Sequence, residues 1–143
     1  MKPLRITILF ALLGVVLSAC DTFQPSQLCG EQTEANHQVF LNTFSEMQLV
    51  NQVDKSGGQN VEQTGRVFTP PISLAINLVS LEKVELRLCI FEARRNGKVV
   101  FDEVFSINLG ETRIDLGDFG EGPHIIRVYV GGNLVENISF LIR

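Results

Sequence analysis

Ile72, Leu74, Ile76 and Leu78 alternate without a break with Ser73, Ala75 and Asn77. A strand turns every second side chain to one face, so this stretch buries four apolar groups on one side; a helix would scatter them around its axis. The same period recurs down the chain. It is carried by Met47, Leu49, Asn51 and Val53, then by Val84, Leu86, Leu88 and Ile90, and again by Val99, Phe101, Phe105 and Ile107. Ile114 and Leu116, then His124, Ile126, Val128 and Val130, and finally Glu136, Ile138, Phe140 and Ile142 complete the series.

Turn signals separate these stretches. Asp54-Lys55-Ser56-Gly57-Gly58 supplies a loop, and Pro70-Pro71 denies two backbone donors just before a strand. Leu81-Glu82-Lys83 and Asn108-Leu109-Gly110-Glu111 are short turns, residues 117–123 form the longest glycine-rich loop, and Gly131-Gly132-Asn133 is a tight turn. Asn96-Gly97 predicts a type I′ hairpin with positive φ at both residues. Residues 61–69 show no clear pattern, and residues 37–44 suit either a helical face through Phe40, Phe44 and Met47 or the approach to a strand. About seven short strands without a strong helix predict an all-β protein of two antiparallel sheets packed face to face.

The amino terminus obeys different rules. Lys2 and Arg5 precede an apolar run over residues 6–17, broken only by Thr7 and Gly14 and followed by small residues. That is the anatomy of an export signal. About a dozen apolar residues fall short of the roughly 20 that span a bilayer. Leu17-Ser18-Ala19-Cys20 resembles the bacterial lipobox, in which the cysteine thiol is acylated by diacylglycerol and the chain is cut just before it. The resemblance implies lipid on Cys20 as the sole attached group, a membrane-anchored protein facing the periplasm or the exterior, and, through Asp21, retention in the inner membrane. An ordinary secretory signal that abuts a cysteine is the alternative. The expected organisation is a signal peptide over residues 1–19, a lipidated cysteine and polar tether over 20–45, and a sandwich over 46–143. As a random coil of roughly 18 residues the tether spans about 23 to 25 Å.

The formal net charge of −4 includes the two leader cations, so the mature chain stands at −6. Such a chain is a poor ligand for nucleic acid or for anionic lipid by charge alone. With Cys20 committed to lipid, Cys29 and Cys89 remain, in a compartment where disulfides persist. If Leu86, Leu88 and Ile90 face the core, Cys89 lies on the outer face with Arg87 and Phe91. A Cys29–Cys89 bridge then folds the N-terminal segment back over one sheet and covers Phe91; two unrelated thiols are the other possibility.

Over residues 66–143 the succession of strand, short turn, strand, Asn-Gly hairpin, glycine loop, Val128-Tyr129-Val130-Gly131-Gly132-Asn133-Leu134-Val135 and terminal Phe140-Leu141-Ile142 resembles the immunoglobulin-like or fibronectin-III-like modules of bacterial surface lipoproteins. The resemblance implies an antiparallel immunoglobulin-like β-sandwich. His124 stands where such modules often carry a corner tyrosine, and the chain has no tryptophan.

The residues offer little catalytic chemistry. His37 and His124 lack ligand partners at metal-binding spacing. Asp115, Asp118 and Glu121 are oxygen donors on a glycine-rich loop, yet their spacing does not fit an EF-hand. No Gly-x-Ser-x-Gly elbow occurs, and the adjacent Asp102 and Glu103 point to opposite faces of a strand, so they cannot flank one bond. The expectation is a non-enzymatic binding or structural module for an envelope protein or surface polymer. The alternative is an inhibitor or modulator of a protease or wall enzyme that presents loops from the sandwich. Candidate partner-binding residues are Arg94, Arg95, Asn96 and Lys98 at the basic hairpin tip and Asp118, Phe119 and Glu121 in the glycine loop; an unpaired edge strand is a further docking place.

Overall fold

The computed structural model describes residues 28–55 and 59–143. The leader, Cys20 and Asp21 lie outside the described residues, as do Ser56, Gly57 and Gly58.

Among the described residues one short helix, α1 (His37–Thr43), precedes nine strands: β1 (Phe44–Lys55), β2 (Gln59–Thr64), β3 (Val67–Phe68), β4 (Leu74–Ser80), β5 (Val84–Glu92), β6 (Val99–Ile107), β7 (Gly110–Gly117), β8 (Gly122–Val130) and β9 (Asn133–Ile142). They form two sheets, ordered β2-β1-β4-β7 and β3-β9-β8-β5-β6. All neighbours are antiparallel except β3 and β9. The result is an immunoglobulin-like β-sandwich.

The alternating residues become its interior. Leu74, Ile76 and Leu78 of β4 meet Leu86, Leu88 and Ile90 of β5, with Ile126 and Val128 of β8 and Phe140 and Ile142 of β9. Each of these side chains is all but removed from water, which is worth about 1.5 to 3 kcal/mol apiece. A bulge between Val128 and Tyr129 leaves Val135 without a cross-strand partner. That extra residue lets Val135 join the central core while Leu134 turns to the opposite face.

Among the described residues nine strands stand where about seven were expected. The two additional ones arise from the patternless stretch of residues 61–69. β2 is an edge strand whose residues 62–64 are exposed, so nothing obliges its sequence to alternate. β3 is only two residues long and sets Phe68 beside Ile142.

The proposed boundary at residue 46 also moves. Asn36 caps α1 by accepting from the Val39 amide at 3.2 Å. The helix packs Val39 and Phe40 against the core and ends where Phe44 turns extended, its ring fully buried. Residues 28–43 therefore belong to the folded unit. Among the described residues, no helix is long and apolar enough to cross a membrane.

Asn51 continues the inward face of β1 and is completely buried. Its amide donates to the Pro71 carbonyl at 3.2 Å and its oxygen accepts from the Ser73 amide at 2.8 Å. One polar side chain thus satisfies the backbone of the segment entering β4, as a buried polar group must.

Candidate functional site

The two loops singled out in the sequence lie at one end of the sandwich and touch. The Ala93 amide donates to the Pro123 carbonyl at 2.8 Å, and the Arg94 guanidinium reaches the Glu121 carbonyl. Arg94 occupies the space that a side chain on Gly122 would need, and Gly122 itself has φ +117.

The Asn96-Gly97 turn is not type I′. Neither residue has positive φ; instead the Gly97 amide donates to the Arg94 carbonyl at 3.0 Å, and the hairpin closes where the Glu92 amide meets the Lys98 carbonyl at 3.0 Å. Gly97 is required for another reason. A Cβ there would drive into the backbone carbonyl of Glu92.

Phe119 turns inward. Its ring is half-buried, tilted against His124 at 6.0 Å and edge-on to Phe140 at 6.3 Å. His124 stacks on Phe140 at 5.1 Å and is 2 % exposed, with Nδ1–H donating to the Gly122 carbonyl at 2.9 Å. Burial pushes the His124 pKa down; the Gly122 carbonyl and Glu92 oppose this, and Arg94 adds to it. The glycine loop is thus plugged into the end of the core. Arg95, Asn96, Lys98, Asp118 and Glu121 remain exposed around it, a mixed-charge rim.

The second surface is the outer face of the larger sheet. Cys29 and Cys89 are joined by a disulfide, Cα atoms 5.8 Å apart. With Phe91, Tyr129 and Leu134 they make a second apolar cluster, against which Leu28 and Ile125 pack. Polar bonds hold the rest of this N-terminal strap. Arg127 donates to the carbonyls of Leu28 (2.8 Å) and Gly30 (3.0 Å) while stacking over Phe91 at 5.3 Å. Gln32 accepts from the Leu134 amide at 2.7 Å, and Asn137 donates to the Thr33 carbonyl at 3.3 Å. The strap read as loose tether is therefore bonded to the sheet from residue 28 onward, because its glutamine and backbone carbonyls meet donors on β8 and β9. Beside it lies a cleft of about 640 Å³ walled by Cys29, Gln32, Arg87, Val104 and Tyr129.

Arg87 pairs twice with Asp102 at 2.8 Å and lies 5.3 Å from the Tyr129 ring centre. Its hydrogen bond holds the Asp102 carboxyl below the usual carboxylate range. Glu103 takes the other face of β6, opposite Leu88. On the smaller sheet Arg113 spans all four strands. It binds Asp115 at 2.9 Å, Gln52 at 3.0 Å, Asn77 at 3.4 Å and Glu62 at 2.5 Å.

Among the described residues no three acids, histidines or cysteines gather closely enough to hold a metal. Asp115 is committed to Arg113, while Asp118 and Glu121 project into solvent. Sequence reasoning placed the Cys29–Cys89 bridge over the sheet but missed the polar bonds of the strap and the Arg113 lattice; a signal for the former was Arg127, on the outward phase of a stretch, residues 125–130, that is otherwise apolar. The chain matches no protein-family model and no curated protein.

Proposed function

We propose that this chain is a lipid-anchored, non-enzymatic binding module of the bacterial cell envelope. Acyl chains on Cys20 hold it to a membrane, and the sandwich engages an envelope protein or surface polymer in the periplasm or outside. The observation that carries this reading is the strap. Its disulfide, with Cys89 fully buried, suits an oxidising extracytoplasmic compartment.

The strap also supports one way of presenting the domain, given an anchor at Cys20. Seven residues separate Cys20 from Leu28, a path of at most about 29 Å and about 14 to 17 Å as a relaxed coil. The module would ride within roughly its own width of the lipid. It would be attached through the outer face of the larger sheet, leaving the polar lattice around Arg113 on the opposite side. The two loops at the sandwich end are tied to each other and to the core, which favours a fixed contact surface over a protruding inhibitor loop.

The test is membrane fractionation of the wild-type protein and Cys20→Ser, with metabolic labelling by an alkyne fatty acid. Label and membrane residence should both vanish in the variant. A variant that stays in the membrane fraction removes the anchor from the proposal.

A further inference from the structure

Among the described residues the four sheet edges are β2, β7, β3 and β6. Of the last two, β3 has only two residues, whereas β6 has nine and is paired on one side alone among the described residues. The inward side chains of β7, Ile114 and Leu116, are already buried, so a strand added there would cover little new apolar surface. β6 differs. Phe101 and Phe105 are only half-buried, stacked 6.3 Å apart at 10°, and Val99 and Val104 are 41 % and 57 % exposed.

Between the two phenylalanines, on the same face of the strand, stands Glu103. It is exposed and takes part in none of the ion pairs among the described residues. An acid at this place deters a second copy of the chain. Antiparallel pairing of two β6 strands must keep inward residues opposite inward residues. Centred on Glu103 it sets Glu103 against Glu103, centred on Asp102 it sets Asp102 against Asp102, and centred on Val104 it sets each Glu103 against Phe105. None of these registers supplies a counter-charge.

We propose that the free edge of β6 accepts an extended segment of a different protein, with a lysine or arginine opposite Glu103 flanked at two-residue spacing by apolar residues opposite Phe101 and Phe105. The main chain would supply the pairing and the apolar–x–basic–x–apolar pattern the selectivity, as in strand addition generally. This names the partner chemistry for the binding-module reading and rests on it.

The experiment is an NMR titration of the isotopically labelled, detergent-solubilised lipoprotein with two synthetic peptides carried to millimolar concentration. One contains Val-Thr-Lys-Thr-Val and the other Val-Thr-Glu-Thr-Val. The lysine peptide should shift and protect the β6 amides and bind about fivefold or more tightly than the glutamate peptide. Glu103→Lys, a change at an exposed position, should reverse that order.

Equal binding of both peptides, protection at β2 or β7 instead, or no binding overturns the proposal, as does a dimer through β6 in sedimentation. The assay is independent of fractionation and lipid labelling. Failure here with an anchored protein leaves the broader binding-module reading standing, and failure of the anchor leaves this edge still testable.

Discussion

Tyr129 gives its phenolic hydrogen to the main-chain oxygen of Cys29 at 2.9 Å, across 100 residues of chain. The bond lies beside the disulfide, inside the cluster that seals the strap to the larger sheet. Two contributions are separable here. Tyr129→Phe keeps the ring and loses the bond, which should cost about 1 kcal/mol. Replacing both Cys29 and Cys89 by alanine releases a loop of 60 residues, for which the chain-entropy relation gives about 4 kcal/mol. Urea denaturation of the two variants should show this ordering. A double-alanine variant as stable as wild type would mean that the polar bonds of the strap suffice without the covalent link.

Asn51 holds the segment before β4 by both ends of its amide. Asn51→Leu is similar in size but leaves the Pro71 carbonyl and the Ser73 amide without that partner. The expected loss is about 2 to 6 kcal/mol, from two polar groups at roughly 1 to 3 kcal/mol each. Asn51→Asp keeps an acceptor for Ser73 but sets a buried carboxylate oxygen against the Pro71 carbonyl, so at neutral pH it should cost at least as much as Asn51→Leu. Chemical denaturation at neutral pH checks the series, and an Asn51→Leu protein at wild-type stability would show that water replaces the amide.

The sandwich was legible wherever a strand has one dry face. Ile72 to Leu78, Val84 to Ile90 and Ile126 to Val130 announce themselves because every second residue is a large apolar group aimed at the core, although the outer faces of β5 and β8 are covered as well. β2 and the strap gave no such sign. An edge strand wet on both faces carries no hydrophobic period, and the strap is held by side-chain and carbonyl hydrogen bonds whose partners lie about 100 residues away. Asn96-Gly97 was legible as a turn but not as this turn. The pair is selected by the close approach of Gly97 to the Glu92 carbonyl and not by positive φ. The two candidate loops were recognisable by composition, whereas the inward docking of Phe119 was not, because an aromatic in a glycine loop looks exposed until its contact with Phe140 is known.

Gly97 and Gly120 sit at the same end of the sandwich and should respond very unequally to the same change. Gly97→Ala forces the Glu92 backbone to move and should destabilise by about 2 kcal/mol or more, in the range of overpacked sites. Around Gly120 a Cβ meets nothing within 4 Å, and its φ is not in the left-handed region. Gly120→Ala should therefore stay within about 0.5 kcal/mol of wild type. Thermal melts of the two proteins make the comparison.

His124 makes the stability of the fold respond to mild acid. Its ring is buried between Phe119 and Phe140, and its Nδ1–H is already spent on the Gly122 carbonyl. Burial holds its pKa below the ordinary 6.5, so between those two values the unfolded chain binds a proton that the folded one does not. By linkage, stability rises with pH across that window. The loss on acidification thus begins near pH 6.5 and grows until pH reaches the lowered folded value. Asp102, also lowered, acts separately and further down, where stability is lost as pH falls below its ordinary 3.8. His124→Phe retains an aromatic ring against Phe140 and removes the titrating group. It should melt somewhat lower at pH 7.5, having lost the bond to Gly122, but its melting temperature should change less than that of wild type between pH 7 and pH 5. Parallel slopes for the two proteins over that interval would show that the ring of His124 accepts its proton without leaving the stack.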